Sequence, residues 1–311
     1  MLQQSYLLTF CYPFPKLLKR KDIMSSLFLT SIDLASYTTL SQGLDPKALS
    51  FIGNVFAKLD QASIDDAFLY LQQTIGLFTT YLDVSSLSLI DDIISLLDSG
   101  AAKVFVNRQQ LDQLVSANID QDRIVLILPG NTKQEVIEAI SGTSVDVYSH
   151  QVRDVELVEA WLKEYGTDRP EVFVSFASPD IKSVLSLSKL SAIPIIPAEI
   201  LTINPKADPE LISVSRLLLS NATSDRSDGL FTTLVTDERG VALGLVYSSE
   251  ESVAESLRTG RGVYQSRKRG LWYKGESSGD IQELVGITLD CDHDCLRYVV
   301  RQKGRGRYRF I

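Results

Sequence analysis

The chain has 311 residues, 44% hydrophobic and 23% charged, with a formal net charge of −8, a profile that fits a globular protein large enough for two cores. The acidity excludes general nucleic-acid binding as the main task, and no window approaches the roughly 18 to 20 apolar residues of a membrane span. The three scattered cysteines, Cys11, Cys291 and Cys295, form no disulfide framework and point to a reducing, cytoplasmic compartment.

The first 23 residues hold no acid before Asp22, an apolar patch at Tyr6–Cys11 and a basic run at Lys16–Lys21. They are poorer in Arg and Ser than a mitochondrial presequence and read as a disordered upstream extension, with Met24 as the natural start. From Ser25 to about Ser220, short apolar runs alternate with amphipathic stretches. Strands are expected at Leu27–Ile32, Ser50–Ala57, Leu77–Tyr81, Lys103–Val106, Ile124–Leu128, Val145–Tyr148, Val172–Ser175 and Ile193–Ile196. Helices are expected between most of them, at Ser63–Gln73, Ser88–Leu97, Lys133–Ile140, Val155–Tyr165 and Asp180–Leu190. Ser63 before Asp65 and Asp66, and Asp180 after a proline, are good helix starts. Nearly all-apolar strands alternating with helices mean a parallel sheet covered on its faces. A (β/α)₈ barrel and an open doubly wound sheet both carry that signature.

Phe28–Ala35 (FLTSIDLA) and Gly100–Asn107 (GAAKVFVN) resemble the first strand and a middle strand of the sugar-phosphate isomerase and cyclase barrels of histidine biosynthesis, which tilts the expectation towards a barrel. The glycine-rich phosphate-binding turns of an active member are missing from the later loops. Ala198-Glu199 follows the last strand with no glycine nearby, so a barrel without catalysis is expected, with a small-molecule-binding scaffold as one role for it.

Leu219–Asp228 is polar, aperiodic and linker-like. Beyond it, Leu230–Thr236 and Ala242–Tyr247 read as strands joined by a DERG turn, Ser249–Thr259 as a helix capped by Ser249 and stopped by Gly260, and Gly262–Gln265, Gln282–Thr288 and Leu296–Arg301 as further strands. A small antiparallel α+β unit follows. The expected organisation is an extension (1–23), a barrel-like α/β unit (24–218), a linker (219–228), the small unit (229–303) and a divergent tail (304–311).

The small unit carries the chemistry. On an extended strand Asp290, Asp292 and Asp294 point to one face and Cys291, His293 and Cys295 to the other. Three carboxylates on one edge suit a hard cation such as Mg²⁺, and Cys291 suits Zn²⁺; the plain alternative is an acidic turn with an incidental cysteine. Trp272–Gly279 (WYKGESSG) gathers an aromatic, a cation, a carboxylate and two hydroxyls between glycines, a turn able to surround a phosphate with Lys274 as point charge. Ser266–Arg269 (SRKR) adds cationic donors; its plain alternative is a solvated hairpin.

In order and spacing, SRKR, WYKGESSG and DCDHD resemble the phosphoribosyl-AMP cyclohydrolase family, as it occurs in the multidomain histidine-biosynthesis proteins of fungi. RSDGLFTT (226–233), LGLVYSS (243–249) and GRGVY (260–264) match it as well. The resemblance implies hydrolytic opening of the adenine ring of phosphoribosyl-AMP between N1 and C6, by a water that zinc activates for attack on C6. It implies Glu276 as catalytic carboxylate and Arg267, Arg269, Trp272, Lys274, Ser277 and Ser278 as substrate-binding residues. It also implies Cys291 as a zinc ligand, Asp290, Asp292 and Asp294 as Mg²⁺ ligands, and a homodimer sharing the zinc. The family has two further zinc cysteines and a histidine after this segment, where the present sequence reads GRGRYRFI. A truncated or mis-spliced product, or a pseudoenzyme that binds nucleotide without hydrolysis, is therefore the alternative expectation.

Overall fold

The computed structural model describes residues 28–35, 49, 51, 54–60, 62–76, 78–128, 138, 145–153, 155–165, 170–190, 192–290 and 292–304. The expected extension, most of the helix at 133–140, Cys11, Cys291 and the tail beyond Gly304 lie outside the described residues.

Eight parallel strands close into a barrel: β1 (Leu29–Asp33), β2 (Asn54–Lys58), β3 (Thr79–Asp83), β4 (Lys103–Val106), β5 (Ile124–Ile127), β6 (Asp146–Val152), β7 (Val172–Phe176) and β8 (Ala192–Pro197). Closure is direct, because β8 pairs with β1 in the register Leu29↔Ile195, so the doubly wound alternative is excluded. Strand alternation divides the side chains into two sets. Leu29, Phe56, Phe105, Val125, Tyr148, Phe173, Ile193 and Ile195 fill the interior, while Ile32, Val55, Ala57, Val104 and Val106 face outwards to the helices. The interior is mostly aromatic, with Phe105 edge-on to Phe56 at 4.7 Å and to Phe173 at 5.1 Å. Below this layer, at the N-terminal end of the strands, the Lys103 ammonium pairs with the buried Asp146 carboxylate and lies 3.2 Å from Glu171.

The outer helices among the described residues are α1 (Ile64–Thr74), α2 (Ile90–Asp98), α3 (Arg108–Ser116), α4 (Val155–Tyr165) and α5 (Ile181–Ser188). Ser63 and Asp66 form a reciprocal cap on α1, and the Asp180 side chain accepts from the Lys182 and Ser183 amides on α5. Helix α3 was not among the expected elements. Its sequence RQQLDQLVS has an apolar face of little more than Leu111 and Leu114, and the start signal is the Asn107–Gln110 capping box. After β8, a short parallel pair, β9 (Leu201–Thr202) and β10 (Ile212–Ser213), leads into α6 (Val214–Leu219). Among the described residues no helix is long and apolar enough to cross a membrane.

The small unit comprises β11 (Phe231–Thr236), β12 (Ala242–Ser248), α7 (Glu250–Thr259), β13 (Val263–Ser266), β14 (Gly270–Tyr273), β15 (Gln282–Leu289) and β16 (Cys295–Gln302). Its four-stranded sheet has the order β12-β11-β16-β15, and β13 and β14 form a separate hairpin. β11/β12 and β15/β16 are antiparallel as expected, whereas β11 and β16 run parallel. The chain returns to β11 only after crossing through α7 and the β13/β14 hairpin, which reverses the sense of the last strand. α6 packs on α7, the Lys206 ammonium lies 2.6 Å from Glu251 on α7, and Leu217, Leu219, Val253, Leu257 and Val300 belong to the same buried cluster as the outer wall of the barrel.

Candidate active site

The acidic segment is a hairpin turn between β15 and β16, not a continuing strand. Asp290 N–H donates to the Cys295 carbonyl (3.0 Å), and Asp290 Oδ1 accepts from the Asp294 and Cys295 amides, both at 3.1 Å. His293 takes a left-handed φ of 64° at the tip, and its carbonyl accepts from the Thr223 amide of the linker at 2.9 Å. The turn gathers the carboxylates by another route than strand alternation: one oxygen of each of Asp290, Asp292 and Asp294 lies within 4.8 Å of the others. An octahedral site with Mg–O bonds of about 2.0–2.1 Å has trans oxygens about 4 Å apart, so this donor set fits Mg²⁺ after small adjustments. Crowding shows in Asp294, whose pKa is raised chiefly by the Asp292 charge and further by burial and Asp290. His293 and Cys295 join no metal-ligating group among the described residues. The Cys295 Sγ lies 3.5 Å from the Leu296 carbonyl, and burial pushes its thiol up.

The basic run SRKR is the tip of the β13/β14 hairpin, where Ser266 Oγ accepts from the Lys268 and Arg269 amides at 3.3 Å. The tip is a solvated hairpin, as the plain alternative had it, yet its arginines are held on aromatic faces. Arg267 lies 5.5 Å from the Tyr247 ring, Arg226 lies 4.1 Å from the same ring, and Arg269 and Lys274 each lie 5.7 Å from Trp272. Tyr247 is the register partner of Thr232, which is the partner of Cys295. This row joins the arginine tip to the acidic turn at one end of the sheet. Neither Arg226, bound to Asp228 at 2.6 Å, nor Tyr247 was singled out as a site residue. Their only sequence signal is membership of the RSDGLFTT and LGLVYSS segments.

The Lys274–Asp280 turn is built on glycine. Gly275 has φ 84°, and a Cβ there would lie 2.3 Å from the Asp280 carbonyl carbon. The Gly279 amide closes the turn on the Gly275 carbonyl at 2.8 Å. Glu276, Ser277 and Ser278 are exposed at its crest. This turn precedes β15 whereas the acidic turn follows it, so the two lie at opposite ends of an eight-residue strand, about 26 Å at roughly 3.3 Å per residue. One chain therefore brings Arg267 and Arg269 towards the three aspartates and leaves Glu276, Ser277 and Ser278 far from them.

Residues 244–307 match the phosphoribosyl-AMP cyclohydrolase family. Over 277 residues the chain is 40% identical to a histidine biosynthesis trifunctional protein of Neurospora crassa, covering 86% of this chain and 30% of that protein. Over 222 residues it is 42% identical to the histidine biosynthesis bifunctional protein his7 of Schizosaccharomyces pombe, covering 68% and 53%. A phosphoribosyl-AMP cyclohydrolase of Roseobacter denitrificans is 47% identical over 78 residues, 24% of this chain and 61% of that one. The chain thus spans between about a third and a half of the length of the fungal relatives it matches. The segment that matches the phosphoribosyl-AMP cyclohydrolase family holds the arginine hairpin, the glycine turn and the acidic turn.

Proposed function

We propose that the small unit is a phosphoribosyl-AMP cyclohydrolase of histidine biosynthesis, which adds water across the N1–C6 bond of the substrate's adenine ring. The supporting observation is the convergence of three carboxylates and an aromatic-held arginine pair at one end of the sheet. Asp290, Asp292 and Asp294 would hold Mg²⁺, and Cys291, outside the described residues, would supply one thiolate to Zn²⁺. When bound, zinc provides a Lewis acid and lowers the pKa of water towards neutrality. Arg267 and Arg269 meet phosphate oxygens, Trp272 offers its ring to the base, and Lys274 with Ser277 and Ser278 forms a second phosphate cradle. Glu276 takes a proton from the attacking water and delivers one to N1, so that the C6–N1 bond breaks, N1 departs with the bonding pair and C6 stays on the imidazole ring as a carboxamide.

With Glu276 and the aspartates at opposite ends of β15, a complete site takes Glu276 from a second copy of the chain. The edge strand β12 is suited to meet that copy: Leu243 and Leu245 are 41% and 65% exposed, beside Val241 at 50%, an apolar edge of the kind that pairs with another chain. The test is complementation. Glu276→Gln and Asp292→Asn each abolish ring opening, followed by absorbance with Zn²⁺ and Mg²⁺ present, and mixing them after dissociation restores about a quarter of wild-type turnover, the share of intact sites in randomly formed dimers. No recovery on mixing would sink the shared site. Unaltered turnover in Cys291→Ala would refute the zinc role.

A further inference from the structure

Glu276, Ser277 and Ser278 stand exposed at the crest of the glycine turn, between the left-handed glycines Gly275 and Gly279. Where the crest points is therefore set by the two roots of the turn. The downstream root runs into β15, a strand of the four-stranded sheet. The upstream root is Tyr273, the last residue of β14, in the two-stranded hairpin that stands apart from that sheet. A lone two-stranded hairpin is marginally stable, so this root needs an outside hold. It is also the root nearest the chemistry: the Tyr273 carbonyl accepts from the Glu276 amide at 3.3 Å, and the adjoining Lys274 amide donates to the Gly262 carbonyl at 3.0 Å.

Helix α7 supplies the hold. On β13, the Val263 amide donates to Ser256 Oγ at 3.1 Å, and the Ser249 hydroxyl donates to Gln265 Oε1 at 3.2 Å. On β14, strand alternation sends neighbouring side chains to opposite sides. Trp272 packs beside the Tyr264 ring, while the Tyr273 hydroxyl donates to Glu255 Oε1 on α7 at 2.6 Å. Arg258 grips the same carboxylate at two points, with Nε 2.9 Å from Oε2 and Nη2 on Oε1. A two-point pair fixes the plane of the carboxylate that the tyrosine meets. The Glu255 side chain is only 18% exposed, and hydrogen bonds from Arg258 and Tyr273 hold its pKa at about 2. The bond to Tyr273 is therefore charge-assisted at any pH near neutrality.

We propose, on the reading of the small unit as a cyclohydrolase, that Glu255 is a positioning residue: through the Tyr273 hydroxyl it sets the direction in which Lys274 and Glu276 leave the hairpin. Glu255 lies outside the SRKR, WYKGESSG and DCDHD motifs. Tyr273 is one residue from Lys274 and three from Glu276, so release of its ring shifts both. A displacement of about 1 Å in a reacting group costs about a hundredfold in rate. Lys206 offers the contrast. It lies 2.6 Å from Glu251 one turn earlier on α7, but its side chain is 78% exposed, so that pair is screened by water and lies off the path to Tyr273.

The test compares the full chain with Tyr273→Phe, Glu255→Ala, the double variant, and Lys206→Met as control. Amide hydrogen exchange at Lys274 and Gly279, which donate to the Gly262 and Gly275 carbonyls, reports the turn whether or not the chain turns substrate over. Protection falls about tenfold in each single variant, no further in the double, and stays in Lys206→Met. Ring opening with Zn²⁺ and Mg²⁺ then shows kcat/KM lower by about tenfold to a hundredfold in the same three variants. KM rises as kcat falls, because Lys274 and the two serines share the turn with Glu276. The rise in Tm given by Mg²⁺ is unchanged, since the three aspartates keep their places. Unchanged protection in either single variant overturns the proposal, as do lost protection with intact turnover, additive losses in the double variant, or an equal loss in Lys206→Met. A wild-type chain that opens no ring would sink the cyclohydrolase reading instead, and the exchange measurement would still decide whether Glu255 fixes the turn.

Discussion

Gly275 is the position where one methyl group should do most damage. Its φ of 84° places it in the left-handed region, and an added Cβ would meet Asp280 C at 2.3 Å, Ile281 N at 2.4 Å and Asp280 O at 2.5 Å, all of them backbone. The conformational cost for alanine is about 1–2 kcal/mol, and forcing packed backbone aside adds about 1–3 kcal/mol. Gly279, four residues on in the same turn, has φ 77° but nothing within 4 Å of its would-be Cβ, so Gly279→Ala incurs only the conformational part. The prediction is that Gly275→Ala destabilises by about 2–5 kcal/mol, of which Gly279→Ala reproduces only about 1–2. Urea unfolding followed by tryptophan fluorescence measures the difference. The chain has two tryptophans, Trp161 and Trp272, so a Trp161→Phe background leaves one reporter, three residues from Gly275. Equal losses from the two alanine variants would show that the close approach of Asp280 and Ile281 plays no part, and the steric reasoning would fail.

Lys103→Met should cost about 3–5 kcal/mol, because it strands the buried Asp146 carboxylate; chemical denaturation of this variant beside Asp146→Asn checks it, and a loss under 1 kcal/mol would contradict the pairing. Burial alone would lower the Lys103 pKa, but the charges of Asp146 and Glu171 more than offset this and raise it. Its stabilisation is therefore fully present below the unfolded lysine pKa and lost as pH rises through the higher folded value. Glu255 behaves in the opposite sense: hydrogen bonds from Arg258, and from Tyr273 at 2.6 Å, hold it at about 2. Its contribution is present above pH 4.5 and lost as pH falls towards about 2, a limb of the pH–stability curve that Glu255→Gln should flatten. Mg²⁺ at a hundredfold excess over its Kd should stabilise the chain by about 2.7 kcal/mol, raising Tm in a thermal melt; Asp292→Asn should abolish the rise, and an equal rise in that variant would place the ion elsewhere.

Much of the barrel was legible because its strands are short apolar runs with breaks on either side. Lys103–Val106 and Val155–Tyr165 have the same bounds in sequence pattern and structure. Closure was not legible, since β1 and β8 pair across more than 150 residues and nothing in either strand encodes the partner. β14 (Gly270–Tyr273) was hidden because it is only four residues long and two of them, Trp272 and Tyr273, open the WYKGESSG motif. The acidic turn shows where pattern reasoning misleads: alternation puts the three aspartates on one face, but the chain gathers them by reversing at His293. The distance between that turn and Glu276 could not be read from spacing, because it depends on the direction and length of β15.

The buried cluster that runs from the outer wall of the barrel into α6, α7 and the small sheet bears on how the small unit can be handled and inherited. A fragment cut at the linker would expose Leu217, Leu218 and Leu219 on one piece and leave Val253 and Leu257 without their neighbours on the other. Such a fragment would expose an adhesive apolar scar. Selection acting only on the small sheet would then preserve the barrel's outer surface as a stabilising half of a shared interior, while leaving the ends of its strands free to drift.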